Sequence, residues 1–360
     1  MKPTFLGFGA MRLPTDTTEC KKMVSAYLDS GGNYFDTAYV YGGSEEMLKR
    51  ALVSRHPRDK YMLANKVPPW SVKSIADCDR ILQTSLKRCG TDYFDYYLLH
   101  ALGKDGEKKA TSIGMYEWAQ EMKKKGLVRH VGFSFHDNAE LLEEILAAHP
   151  EMEFVMLQLN YVDIMRGPAG EFHKLALKYD KPILAMEPVK GGTLAKLPAS
   201  AESLLKSARP DASVASWAMR YAASLEGVKV VLSGMSTLKQ VEDNNRTFNP
   251  FEPINTEEYS ILEKAVEILG KEASIPCTGC KYCMSECPQC IEIASCIAIY
   301  NEYIRNDDSD SRFNRKMMYD TIIPGKRAGD CNSCGVCLKY CVQGFDVPAA
   351  LKTVAKEFAS

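Results

Sequence analysis

Tyr34-Phe35-Asp36-Thr37-Ala38-Tyr39-Val40-Tyr41-Gly42 reads as a short buried strand running into a turn, and it leaves Asp36 and Tyr41 at the strand's exit. Two later stretches end in the same way. Tyr61-Met62-Leu63-Ala64-Asn65 delivers Lys66, and Phe94-Asp95-Tyr96-Tyr97-Leu98-Leu99 delivers His100. An acid, a phenol, an amine and an imidazole at successive strand ends suit a parallel barrel, whose strands all open onto one mouth.

Outward from that stretch, short apolar or β-branched runs recur at Phe5–Ala10, Tyr34–Thr37, Met62–Val67, Phe94–His100, His130–Phe135, Phe154–Asn160, Ile183–Glu187 and Lys229–Gly234. Amphipathic patterns fill the gaps at Thr18–Asp29, Ser44–Ser54, Val72–Arg88, Met115–Lys125, Asn138–Ala148, Ala169–Tyr179, Ser213–Ser224 and Leu238–Asn244. Eight strands apolar enough to be buried on both faces, each followed by a helix, predict an α/β fold, a (β/α)8 TIM barrel. Gly31-Gly32 stops the first helix and Pro68-Pro69 ends the third strand. Asp137-Asn138-Ala139-Glu140 has the spacing of a capping box. Gly103-Lys104-Asp105-Gly106 is polar and glycine-flanked, and reads as a surface excursion.

The chain has 360 residues and a formal net charge of −1, which gives no electrostatic case for nucleic acid or an anionic membrane as partner. No apolar run approaches the ~20 residues that span a bilayer, and Met1-Lys2-Pro3-Thr4 does not open a signal peptide. The expected location is cytoplasmic. Of thirteen cysteines, Cys20, Cys78 and Cys89 are scattered and the other ten lie between Cys277 and Cys341. A reducing compartment disfavours disulfides, so such clustering points to metal.

Cys277-Thr278-Gly279-Cys280-Lys281-Tyr282-Cys283-Met284-Ser285-Glu286-Cys287-Pro288 is C-x2-C-x2-C-x3-C-P, and Cys331, Cys334, Cys337 and Cys341 repeat the spacing. This matches the bacterial two-cluster ferredoxins, in which the fourth cysteine of each run ligates the other cluster. The match implies two [4Fe–4S] clusters, one on Cys277, Cys280, Cys283 and Cys341, the other on Cys331, Cys334, Cys337 and Cys287. Val342 stands where a proline is usual, and Cys290 and Cys296 read as spare core thiols, Cys290 being close enough for an alternative ligand. Zinc is the competing metal, but zinc ribbons seldom carry this run twice. The expected layout is a barrel over 1–255, a connecting helix over 256–270, and a small α-helical, ferredoxin-like iron–sulfur domain over 271–347. That domain has a spacer at 288–330, helical over Ile291–Ile304 and a loop over 306–311, and a last helix fills 348–360.

Taken in order, Gly7-Phe8-Gly9-Ala10-Met11-Arg12-Leu13-Pro14, Asp36 to Gly42 with Glu45, Asn65-Lys66 and Asp95 to His100 resemble the aldo/keto reductases. Gly132-Phe133-Ser134, Gln158 to Tyr161, Glu187-Pro188 and Leu232 to Asn244 extend the resemblance over roughly the first 250 residues. The resemblance implies carbonyl reduction of a small-molecule substrate, with Tyr41 as proton donor, Lys66 as its activator, Asp36 as the partner that fixes Lys66, and His100 either orienting the carbonyl or supporting Tyr41. It implies NAD(P)H as cofactor, with Ser134 and Gln158 on the carboxamide. Met186 holds the place where many members stack a tyrosine, which leaves room for a flavin. Gly234, Ser236, Gln240 and Asn244, with Ser233, occupy the region that reads the adenosine phosphate in relatives. His136 stands at the mouth of the fifth strand, either touching substrate or only preceding a capped helix.

A nicotinamide passes two electrons as hydride, whereas a [4Fe–4S] cluster passes one. Three schemes stay open: structural or regulatory clusters beside a nicotinamide reductase, a flavin that converts between the two regimes, or single-electron delivery from a ferredoxin or other donor. The whole chain resembles the subgroup of barrel reductases fused to a ferredoxin module. A different class is an iron–sulfur electron carrier or redox sensor on a barrel without catalytic duty.

Overall fold

Eight parallel strands close on themselves: β1 Leu6–Gly9, β2 Tyr34–Asp36, β3 Met62–Val67, β4 Phe94–Leu102, β5 Val128–Phe135, β6 Phe154–Gln158, β7 Ile183–Met186 and β8 Val228–Ser233. Each pairs with the next, and β8 returns to β1. The computed structural model describes residues 1–270, 274–305 and 309–359. Every strand overlaps one of the predicted runs, so the TIM barrel stands.

Side chains alternate across a strand, so every second residue faces the barrel interior. Tyr34, Met62, Ala64, Leu98, Phe154, Met156, Leu184, Val230 and Leu232 form the interior cluster, with Tyr96 and Met186 against it. Continuing each column by two residues reaches Asp36 on β2, Lys66 on β3, His100 on β4, Gln158 on β6 and Gly234 after β8. The period of two that buries the interior also brings the polar groups to the rim. The outward faces pack under the helices, where Ile81, Leu82, Leu142 and Ile145 are buried.

Local structure departs from the sequence reading at several places. Gly103–Gly106 lies at the surface, as expected, but is helical from Lys104: the helix Lys104–Ile113 begins there, and Asp137 Oδ2 accepts the Lys104 N–H at 2.8 Å and caps it from another element. Asp137 therefore does not cap its own helix. Asn138 does, accepting from Leu141 N at 2.9 Å. Short helices at Tyr161–Arg166 and Ala199–Ala208 were not anticipated. Of the expected loop over 306–311, residues 306–308 lie outside the described residues, and Ser309 opens the helix Ser309–Asp320.

The chain forms two units, Met1–Val189 with Asp211–Ser260, and Lys190–Pro210 with Ile261–Ser360. In the first, Arg220 holds the segment after β8. Its guanidinium donates to both Glu258 oxygens at 2.8 Å and to the Glu252 carbonyl at 2.7 Å. The second unit has its own core, including Ile291, Ile293, Ile297, Val347, Leu351 and Val354. Cys296 belongs to it, as expected, and burial pushes its thiol up to about 11. Cys290 does not: it is exposed, with φ of 52°. Among the described residues no helix is long and apolar enough to cross a membrane.

Candidate active site

The turn after β2 holds Tyr41 by short-range bonds. Tyr41 N donates to Ala38 O at 2.9 Å, Ser44 N to Tyr41 O at 2.9 Å, and Gly43 takes φ of 76°. Thr37 Oγ1 and Ser44 Oγ lie 2.7 Å apart, and Ser44 Oγ donates to Ala10 O at 2.9 Å, tying the turn to the exit of β1. On β3, Lys66 Nζ donates to Asp36 Oδ1 at 2.5 Å and to Thr37 O at 2.8 Å. Both side chains are buried, at 1% and 5% exposure. The ammonium lies 4.9 Å from the centre of the Tyr41 ring. His100 meets that ring edge-on with centres 5.7 Å apart, and Trp70 stands 5.3 Å from His100. Asp36, Tyr41, Lys66 and His100 therefore converge at one end of the barrel.

Burial acts on every charge here. It raises Asp36 and lowers Lys66, each against the pull of the other. His100 is held well below the ordinary imidazole value by burial, then by Lys66 and by His136. Burial pushes His136 down to about 4. Both imidazoles are therefore neutral across the usual assay range, and kcat/KM should show no inflection between about pH 5 and 8 from either ring. The unfolded chain takes up protons at these residues below about pH 6.5 that the folded chain refuses. Stability should thus fall as pH drops from there. The check is the thermal midpoint at two pH values, where His136→Asn should show a smaller acid-side drop than wild type.

Behind the rim, Asn65 Nδ2 donates to the buried Glu45 at 2.8 Å, and Asn65 Oδ1 accepts the Lys66 N–H at 2.7 Å. Arg88 Nη1 completes Glu45 at 3.2 Å. Tyr39, Tyr41, Glu46, Arg50 and Arg88 line a cavity of about 460 Å³ beside this network. Glu45 and Asn65 stand in the motifs that carry the family resemblance, whereas no local sequence pattern marks Trp70.

A sequence profile described as the aldo/keto reductase family matches residues 5–267. The chain belongs to the aldo/keto reductase family. A 4Fe–4S dicluster domain matches residues 276–346, so this reductase carries an iron–sulfur domain in the same polypeptide. A Bacillus subtilis protein named uncharacterized oxidoreductase YqkF is 25% identical over 277 residues, covering 68% of this chain and 87% of its own. The aldo-keto reductase AKR11C1 from Bacillus halodurans, in its holo form, superposes with a TM-score of 0.62 at 26% identity, over 72% of this chain and 91% of that one. A Klebsiella pneumoniae aldo-keto reductase solved in complex with NADPH has a TM-score of 0.60 at 21% identity, over 73% and 95%, a likeness of fold.

Within this reductase, the residues expected at the cofactor are spread along the mouth. Ser134 Oγ accepts the Ala101 N–H at 2.7 Å, and Gln158 Nε2 donates to Asp163 at 2.7 Å. Met186 pairs in register with Gln158 at the exit of β7. Gln240 is engaged in its own helix cap: its Oε1 accepts from Ser236 N at 2.7 Å and Thr237 N at 3.2 Å. Asn244 Nδ2 donates to Ser233 Oγ at 2.8 Å. Arg12, from the first of the resemblance motifs, comes close as well, since a Cβ on Gly234 would stand 3.5 Å from Arg12 Cδ.

The cysteine loops share one backbone. Gly279 and Lys281 take φ of 66° and 67°, and Ser333 and Gly335, at the same offsets in the second loop, take 58° and 75°. Burial pushes the Cys283 thiol up to about 12, helped most by Cys280, Cys341 and Cys277 and least by Cys337. Burial raises Cys337 too, with Cys331, Cys287 and Cys334 adding to it. Cys287, Cys331, Cys334 and Cys337 also line one cavity. Among the described residues no three such side chains converge at single-ion distance. A cubane, being larger than one ion, asks its cysteines to stand farther apart.

Proposed function

We propose that the barrel reduces the carbonyl of a small aldehyde or ketone at the expense of a nicotinamide, with Tyr41 giving the proton. The observation that carries this is the buried Lys66 ammonium, bonded to Asp36 at 2.5 Å and lying 4.9 Å from the Tyr41 ring centre. A phenol with a pKa of about 10 is a reluctant acid near neutrality. An ammonium beside it favours the phenolate and so eases proton release to the carbonyl oxygen. Asp36 keeps Lys66 charged against burial and aims it. His100, neutral, orients the carbonyl oxygen beside the Tyr41 hydroxyl. A bound reduced nicotinamide supplies the hydride that completes the alcohol. Ser134 and Gln158 would receive its carboxamide, Met186 would lie along its ring, and Ser236, Gln240, Asn244 and Gly234, with Arg12, would lie towards its phosphates.

The cysteines divide as their crowding suggests, Cys277, Cys280, Cys283 and Cys341 on one [4Fe–4S] cluster and Cys331, Cys334, Cys337 and Cys287 on the other. A ferredoxin-type electron carrier is the partner that suits such a domain.

The Escherichia coli methylglyoxal reductase YeaE is 33% identical over 149 residues, covering 38% of this chain and 48% of its own, and its name makes short oxoaldehydes the first substrates to try. Anaerobic, iron-loaded protein should oxidise NADPH when given methylglyoxal or another short aldehyde. A folded chain with full iron and no turnover on any such carbonyl overturns the reductase reading. Wild type should hold about eight irons per chain, and Cys280→Ser and Cys334→Ser about four each. A full complement in either variant overturns the ligand assignment.

A further inference from the structure

Residues Lys190–Pro210 are encoded between β7 and the helix Val214–Ser224, yet they cluster with Ile261–Ser360. Their first turn meets the first cysteine loop. A Cβ placed on Gly191 would stand 2.6 Å from Thr278 Cα and 2.6 Å from the Thr278 carbonyl oxygen, so no side chain fits. Thr278 lies between Cys277 and Cys280 and is 5% exposed. Lys190, Gly191 and Gly192 have φ of 47°, 65° and 99°, three left-handed residues in succession. Glycine takes such backbone freely, whereas Lys190 does so only where its surroundings hold it; against Gly191 stands Thr278. Further along the segment, Leu194, Leu197, Ala201 and Leu205 are buried.

We propose that Lys190–Pro210 is part of the first iron–sulfur site, with Gly191 as the residue that positions the Cys277–Cys283 loop. A bare backbone lets the Thr278 main chain lie against it, and that contact sets where the flanking thiolates of Cys277 and Cys280 point. The site is then assembled from two stretches far apart in sequence, one of them written inside the barrel's own coding order. This rests on the assignment of Cys277, Cys280, Cys283 and Cys341 to one cluster, which Cys280→Ser tests separately.

The experiment is iron and sulfide quantification on anaerobically reconstituted full-length chain, with electron paramagnetic resonance after reduction and circular dichroism to confirm the fold. Gly191→Val should lose about four of about eight irons, and its remaining signal should match that of Cys280→Ser rather than Cys334→Ser. Gly192→Ala is the control. It strains a left-handed residue of the same turn but has open space around it, and it should keep both clusters. Gly191→Ala, a milder change, should lower first-site occupancy in the same direction should the valine variant fail to fold. Full iron in both Gly191 variants overturns the proposal. So does loss of both clusters together, or equal loss in Gly192→Ala, which would make strain the cause. Full iron in Cys280→Ser removes the ligand assignment, and the proposal with it.

Discussion

Tyr41→Phe should lower kcat for carbonyl reduction by about 10²- to 10⁴-fold, the range over which a positioned general acid acts. The substitution removes one oxygen and leaves the ring. The Lys66 contact at 4.9 Å from the ring centre and the edge-on contact with His100 both remain. NADPH affinity, read by quenching of protein fluorescence, should therefore change little, and the loss should sit in kcat rather than in cofactor binding. A fall of less than tenfold on every carbonyl tried would take the proton-donor role from Tyr41.

Lys66→Met should cost the barrel about 3–5 kcal/mol, the usual consequence of stripping one partner from a buried ion pair. The reason lies in Asp36. Its Oδ1 would lose the 2.5 Å bond from Lys66, and its Oδ2 is already buried without a partner among the described residues. Burial alone raises Asp36, and with the ammonium gone nothing opposes that rise. The carboxyl would then take up a proton and stay in the interior as an ill-satisfied polar group. Adding Asp36→Leu should recover much of the stability, because apolar replacement of both partners is often neutral, but none of the activity. The measurement is the thermal midpoint of the barrel transition for wild type, single and double variants. A single variant as stable as wild type would mean that the pair contributes nothing to the fold.

The strand ends were legible because the interior of a parallel barrel imposes a strict period of two. Tyr34/Asp36, Ala64/Lys66 and Leu98/His100 each keep it. The cysteine runs were legible because their spacing is itself the ligand pattern. What escaped reading depends on partners distant in sequence. Lys104–Ile113 is capped by Asp137, 33 residues on. The turn at Gly191 is explained only by Thr278. Lys281 and Ser333 adopt left-handed backbone that neither residue type announces. Gln240 differs, since its signal was local. Thr237-x-x-Gln240 is a capping-box spacing, and the structure has both of its bonds.

A ferredoxin merely appended to a finished reductase could be cut away with one scissor stroke. Here the second unit owns a strip of chain from the middle of the first. A protein truncated after residue 260 would keep the helix Ala199–Ala208, with its buried Ala201 and Leu205, but lose the rest of the unit to which that helix belongs. The complementary fragment, 261–360, would lack the strip altogether. Grafting this module onto another reductase is thus a two-piece exchange, and the strip Lys190–Pro210 must be carried over along with the cysteines.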